Sequence, residues 1–381
     1  MKDVKIVIGA NYGDEGKGLM TRHFVLEAQK QGSNPIVIFH NGTAQRGHTV
    51  DYNENFRHVY HHFCSGTAEG AHTFFAKDFL IHPMEFHREY QELMKQGIRP
   101  PRAYFDMGAM VITPFDMLVD HATMEHIARL NGEREFGTCG FGSWCAAEDR
   151  IPMGRTCYTA RDFINKPIVD LLEEIWKDCL IILNKRGVDL ERSQFSYLLK
   201  NRQIVIKNFA HDWAFFLRHS APADFNDLWE TGDSFIFENG QGLGLDKNVD
   251  NDWHTTSNTG LANPVNMLAD KKDFYAEACY VTRSYLTRHG HGPMENWAPK
   301  DEINGTMFDK TNVRNEFQGD LRYGFIEDID QANRIEKDLQ LIKNNPLFTH
   351  SMAVTHWNEF ECKNDNTKYI SDNPFFAEER R

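Results

Sequence analysis

Two kinds of hydrophobic pattern alternate along the first forty residues. Residues 4–9 (VKIVIG) are a continuous apolar, β-branched run, which predicts a strand buried on both faces. A glycine-bearing turn follows, then a helix-compatible stretch, LMTRHFVLEAQKQG, and a second strand-type run over residues 34–40 (NPIVIFH). Strand, loop, helix and strand in this order predict a parallel β-α-β unit. Later runs at 234–238 (SFIFE), 277–286 (EACYVTRSYL) and 348–355 (FTHSMAVT) read as further buried strands. Residues 167–187 place Leu171, Ile175, Cys179 and Ile182 on one helical stripe. The alternation predicts an α/β fold with a large, mostly parallel central sheet covered by helices on both faces.

The chain has 381 residues, with no repeat, low-complexity tract or Pro/Ser-rich linker to divide it, so residues 1–381 are expected to form a single domain with insertions. A hydrophobic content of 41% is ample for a core. The formal charge of −13 leaves no general surface for releasing counterions from a duplex, which turns the search from nucleic acids to small molecules. No apolar run approaches the length of a membrane span, and the first is too short for a secretion signal, so a cytoplasmic protein is expected. Seven cysteines without a CxxC pair do not suggest a disulfide scaffold. The closing NPFFAEERR reads as a loosely held tail whose phenylalanines dock its first half.

Candidate chemistry begins at residues 13–18, GDEGKG, between the first strand and its helix. Glycines let backbone N–H groups approach an anion at a helix N-terminus, and Lys17 adds positive charge, so phosphate is the natural guest. Asn11 and Gly18 stand where a Walker A loop needs glycine and Ser or Thr, so that motif is not matched. A tight glycine turn with exposed charges is the alternative. Asp14 inside a phosphate cradle requires a divalent cation beside it, a role as general base, or both. After the second strand, Gly42, Gly47 and His48 form another loop at the same sheet edge; a histidine facing an anion can stabilise developing charge, its pKa raised by the phosphate, or it can be an ordinary loop residue. His58, His61 and His62 invite a zinc reading, but strand alternation sets His61 on the face opposite the other two. His289 and His291 flank glycines as substrate contacts or loop histidines, and FIEDID (325–330) reads as the start of a solvated helix.

GDEGKG followed by GHT (47–49) resembles the signature loops of the adenylosuccinate synthetase family. FGTCGFG (136–142), FENGQGLGLD (237–246), TTSNTG (255–260), TRHGHGP (287–293) and RYGFIED (322–328) follow in matching order. The resemblance implies a P-loop-NTPase-like fold and a homodimer. It also implies a ligase that uses a nucleoside triphosphate and Mg²⁺ to join L-aspartate to C6 of a 6-oxopurine nucleoside monophosphate. By the same resemblance, Asp14 is the base at purine N1 and a metal ligand, with the Gly47 carbonyl as second ligand. Lys17 holds phosphate oxygens, His48 stabilises the transferring phosphoryl group, and Gln241 fixes O6. Gly13, Glu15, Gly16, Gly18 and Thr49 serve the phosphates, while Thr138 and Thr255 or Thr256 hold the nucleotide 5′-phosphate.

Departures from the family pattern sharpen the expectation. NEFQGDLRYGF (315–325) retains only Arg322 of an arginine run suited to clamping the carboxylates of aspartate, with Arg288 and Arg314 as further candidates, and Phe141 replaces an expected arginine. Cys139 stands at a usual threonine and reads as a small packed residue. The guanine-reading TKLD element appears as Thr355-His356-Trp357-Asn358, so the terminal acid is an amide, whose donor and acceptor match adenine. ATP or dATP is therefore expected, with Trp357 as a stacking wall. These features resemble the phage branch of the family, which acts on dGMP, although that branch often lacks the acid present here as Asp14. The rivals are an enzyme using IMP and GTP, and a regulatory nucleotide-binding protein without turnover.

Overall fold

The computed structural model describes residues 1–131, 140–149, 151, 157–248, 258–290, 292–294, 296–306, 319–360 and 367–380. Strand β1 (Lys2–Gly9) leads through a loop to helix α1 (Lys17–Lys30) and strand β2 (Ile36–Phe39). Next come the hairpin β3 (His48–Asn53) and β4 (Phe56–Tyr60), then β5 (His72–Phe75), β6 (Leu80–Ile81) and α2 (Pro83–Lys95). Strands β7 (Ala103–Phe105) and β8 (Met110–Val111) precede α3 (Pro114–Asn131), α4 (Ala160–Asn165), α5 (Ile168–Lys185) and α6 (Leu198–His219). Then follow β9 (Ser220–Pro222), α7 (Phe225–Thr231), β10 (Ser234–Glu238), α8 (Ala262–Leu268), β11 (Phe274–Arg283) and β12 (Leu286–Arg288). The last elements are β13 (Trp297–Ala298), α9 (Lys300–Asn304), β14 (Arg322–Gly324), α10 (Asp328–Leu339), β15 (Phe348–Thr355), β16 (Thr367–Ile370) and β17 (Glu378–Glu379).

Ten strands form the main sheet in the order β17-β16-β15-β11-β1-β10-β2-β5-β7-β9. All its pairings are parallel except β16 with β17. The continuous apolar runs divide between two cores, as burial on both faces requires. Val7, Val37, Phe39 and Phe75 join one core with α1, α2, α5 and α6 residues, whereas Ile6, Ile8, Ile36, Ile38 and Phe74 join the other with Leu228, Leu268 and Ile335 of α7, α8 and α10. The mostly parallel sheet with helices on both faces is the architecture expected from the pattern.

Several local expectations change. Helix α1 begins at Lys17, so the lysine and Gly18 of the glycine-rich loop belong to its first turn. The 277–286 run is two strands: after Arg283 the Ser284 N–H donates to the Thr355 carbonyl at 3.1 Å, and the chain turns away to join a separate three-stranded sheet through β12. Strand β4 ends at Tyr60, so alternation does not extend to His62. The three histidine rings face different groups, although the N–H groups of His61 and His62 both donate to the Glu89 carboxylate. His58 lies 3.4 Å from the Glu89 carboxylate, His61 donates from Nδ1 to the carbonyls of Ala44 and Arg46, and His62 Nε2 accepts from the His82 N–H at 2.8 Å. The tail is held by β17, with the Phe375 carbonyl accepting from Arg22 at 2.9 Å, while Phe376 is exposed.

The stripe on α5 yields a stability prediction. Ile175 is fully buried, and Ile175→Ala is expected to destabilise the fold by about 2–5 kcal/mol, whereas Ile181→Ala, at a residue 42% exposed, should stay within about 0.5 kcal/mol of the parent in urea unfolding.

Candidate functional site

The carboxyl end of β1 opens into a loop fixed from both sides. Glu15 folds back so that its carboxylate accepts from the N–H groups of Asn11 at 2.6 Å and Gly13 at 3.2 Å. The carbonyls of Gly13, Asp14 and Glu15 accept from Thr287 Oγ1 at 3.2 Å, Arg283 Nε at 2.5 Å and Thr355 Oγ1 at 2.9 Å. This traction from β11, β12 and β15 holds Gly13, Asp14 and Gly16 at φ of 96°, 59° and 94°, left-handed values that glycine and aspartate tolerate better than most residues. Gly9 leaves room for the fold-back, since a Cβ there would lie 2.3 Å from Glu15 Oε2.

Glu15 therefore differs from its expected place at the phosphate: its carboxylate is enclosed by the loop's own amides. Burial raises its pKa to about 7. The N–H groups of Lys17 and Gly18 are the ones that helix geometry leaves without an internal acceptor. Lys17 is itself buried, which lowers its pKa against the opposing pull of Glu15 and Asp14.

The ends of β2 and β10 are fastened together beside this loop. His40 Nε2 pairs with Asn239 Oδ1 at 2.5 Å, and Asn41 exchanges hydrogen bonds with Gly240, donating to its carbonyl at 3.1 Å and accepting its N–H at 2.8 Å. Gln241 has φ 61°, and its backbone packs on loop one, its carbonyl 2.7 Å from where a Cβ of Gly9 would stand. Thr49 reaches the same place from β3: a Cβ on Gly18 would lie 2.8 Å from its carbonyl oxygen.

His48 opens β3 and is buried. Its Nδ1 lies 2.5 Å from Glu238 Oε1, and Arg46 Nη2 approaches the same nitrogen at 3.3 Å. Burial and the Arg46 charge push the His48 pKa down to about 4 against the pull of Glu238. Sequence reading missed both Glu238 and Arg46. The signal for Glu238 was an acid ending the otherwise apolar run SFIFE, where a doubly buried strand gives a charge no water.

Asp14, Glu15, Gly16, Lys17, Gly18, Gly47, His48 and Thr49 line one cleft of about 620 Å³, with Arg283, Thr355, His356, Asn358 and Ser371 to Phe375 around its far side. Asn358 lines the cleft, whereas Trp357 is not a lining residue; its N–H donates to the Ser371 carbonyl at 2.9 Å and Arg380 sits 5.4 Å from its ring centre. Gly13 and Gln241 are not among the residues that line this cleft. His289 Nε2 is 3.8 Å from the Asp14 carboxylate. Arg322 is also off the cleft, its two Nη groups donating to the carbonyls of Gly292 and Gly290 at 2.9 and 2.6 Å. These two bonds use one hydrogen of each Nη group, and Nε has no hydrogen-bond partner among the described residues. Arg288 is its partner across β12 and β14 and stacks on Tyr12, 4.9 Å from the ring centre. Thr138, Cys139, Thr255, Thr256, His291 and Arg314 lie outside the described residues.

A divalent cation was expected at Asp14 and the Gly47 carbonyl. Both line the cleft and both are hard oxygen donors, which suits Mg²⁺, an ion that takes one or two protein oxygens and completes its shell with phosphate and water. The donor set fits.

Residues 6–315 match the family model described as adenylosuccinate synthetase. The chain is 25% identical to the adenylosuccinate synthetase of Blochmanniella pennsylvanica over 324 residues, covering 81% of this chain and 69% of that protein. It is 27% identical to that of Legionella pneumophila over 301 residues, covering 76% of this chain and 63% of that protein. The chain thus spans roughly two thirds of the length of such relatives. In structure it is similar to the fully ligated adenylosuccinate synthetase of Plasmodium falciparum, with TM-score 0.63, 17% identity, and coverage of 92% of this chain and 76% of that one. It is similar also to cyanophage S-2L succinoaminodeoxyadenylate synthetase bound to dGMP and dATP, with TM-score 0.63, 13% identity, and coverage of 100% and 95%.

The brace formed by Glu15 can be tested. In Glu15→Gln one amide oxygen can still accept, but the NH₂ group faces a backbone donor, leaving one buried N–H unmet; a loss of about 1–3 kcal/mol in urea unfolding is expected.

Proposed function

The chain belongs to the adenylosuccinate synthetase family of C–N bond-forming ligases, and from that premise we propose that it joins L-aspartate to C6 of a 6-oxopurine nucleoside monophosphate. The acceptor we propose is dGMP and the phosphoryl donor ATP or dATP, giving 2-amino-deoxyadenylosuccinate. The observation that carries the reaction class is the meeting of Asp14, Lys17, Gly47 and His48 in one cleft, with Gln241 packed against the same loop.

The chemistry requires each of these groups. An oxygen conjugated to a ring nitrogen leaves poorly as hydroxide, so it is first made into a phosphate. Asp14 removes the N1 proton, and O6 attacks the γ-phosphorus as the bond to the bridging oxygen breaks and the nucleoside diphosphate departs. Lys17 and the first-turn amides of α1 hold phosphate oxygens, and His48 faces the transferring group. When bound by Asp14 and the Gly47 carbonyl, Mg²⁺ supplies charge neutralisation at the phosphates. The aspartate amine then adds to C6, inorganic phosphate leaves with O6, and the amine loses its proton. Gln241 orients O6 in both halves.

The adenine preference is supported by Asn358 on the cleft wall, whose amide offers a donor to adenine N1 and an acceptor to its N6–H₂. The cyanophage enzyme bound to dGMP and dATP supplies the proposed substrate pair. Localisation in the cytoplasm and assembly as a homodimer complete the proposal; among the described residues no helix is long and apolar enough to cross a membrane.

Product formation with each pairing of dGMP or IMP with ATP, dATP or GTP, with and without aspartate, tests this reading. Aspartate-dependent turnover with dGMP and an adenine triphosphate is expected. Strong GTP selectivity would favour the IMP and GTP enzyme, and no product under any pairing would favour a regulatory protein. Asp14→Ala and His48→Ala should each lower kcat by at least about 10²-fold. Asn358→Asp should move the ratio of kcat/KM values toward GTP by about tenfold, the effect of one good hydrogen bond.

A further inference from the structure

Glu238 has no task in the mechanism above, yet its situation is costly. It ends β10 at 0% exposure, one strand from β1, and a carboxylate so placed is tolerated only if donors meet its oxygens. They do. Oε1 accepts from His48 Nδ1 at 2.5 Å and from the Ser65 hydroxyl, and Oε2 accepts from the Ser65 N–H at 3.2 Å. Burial alone would raise its pKa, but His48 and Arg46 hold it below the usual carboxylate range.

Two groups compete for Nδ1 of His48. A carboxylate can only accept and a guanidinium can only donate, so the nearer one decides whether that nitrogen carries hydrogen. Glu238 is at 2.5 Å and Arg46 at 3.3 Å, and Arg46 Nη2 has a better acceptor in the Glu238 carbonyl at 2.6 Å. The guanidinium is further held against Phe39, 3.7 Å from the ring centre. The hydrogen therefore stands on Nδ1, pointing at Glu238.

We infer that Glu238 is a positioning residue for phosphoryl transfer: its buried carboxylate fixes the tautomer and ring plane of His48 so that Nε2 is the nitrogen presented to the triphosphate cleft. The inference rests on the proposed role of His48 at the phosphoryl group. The physical logic is that of a histidine oriented from behind by a carboxylate, where replacing the acid by its amide leaves the shape but reverses the hydrogen bond.

Glu238→Gln is expected to lower kcat by at least about 10²-fold while KM for both nucleotides stays within about threefold, and Glu238→Asp should recover most of that loss. In a His48→Ala background Glu238→Gln should cost less than about threefold more, because no ring remains to orient. Near-parental kcat in Glu238→Gln, or losses that multiply in the double variant, would overturn the inference. A measurement on the parent chain reads the tautomer directly: ¹⁵N shifts of the histidine rings, with His48 assigned by the signal missing in His48→Gln, should show hydrogen on Nδ1. Hydrogen on Nε2 with a bare Nδ1 overturns the inference. If the parent makes no aspartate-dependent product, the proposed function fails, whereas turnover by the parent and equally by Glu238→Gln removes the role of Glu238 alone.

Discussion

Asp14, Lys17, His48 and Gln241 come together because β1 runs through the middle of the sheet, bonded to β10 on one side and β11 on the other along most of its length. A strand in that position has no face for water, so its only outlet for polar chemistry is its carboxyl end. The loops leaving β1, β2, β10, β11 and β15 converge there, and the amide and carbonyl groups they leave open find partners in one another. The cleft is the consequence of that convergence.

The site holds an unusual density of charge away from water. Glu15, Lys17, Arg46, His48 and Glu238 are all buried. Charges of both signs alternate, and backbone and side-chain donors meet the Glu15 and Glu238 carboxylates, so the cost of their desolvation is offset locally, while Arg46 Nε and Nη1 have no hydrogen-bond partner among the described residues. Such a site is organised without a ligand, which is the general condition for stabilising charge that develops in a transition state. Left-handed backbone at both Asp14 and Gln241 belongs to the same organisation: surrounding contacts hold conformations that an unconstrained chain would rarely adopt.

The arginines beside the first loop are organised differently. Arg322 and Arg288 face each other across β12 and β14 beside Tyr12, and Arg334 of α10 reaches Asn11 Oδ1 at 2.8 Å. Positive charge is concentrated near the first loop, but its donors are partly engaged by carbonyls of the 290–292 turn. One side of the first loop is thus a preformed wall, and the other carries arginines that hold the protein's own backbone.

The sequence alone determined the layered α/β architecture, because apolar runs without alternation can be stable only in strands covered on both faces, and it determined which loops bear chemistry, because GDEGKG and GHT place glycine, charge and imidazole at strand ends. Matching positions also carried the likeness to a ligase family through identities of only about a quarter. What it could not reveal was direction. Glu15 reads as one more acid beside the phosphates, and only the fold-back permitted by Gly9 turns it onto Asn11 and Gly13. Glu238 and His48 lie 190 residues apart, and no local pattern joins them; the pairing exists because β10 is bonded next to β1 and β2. Contacts between distant strand ends are set by strand order, a property of the folded sheet rather than of any stretch of chain.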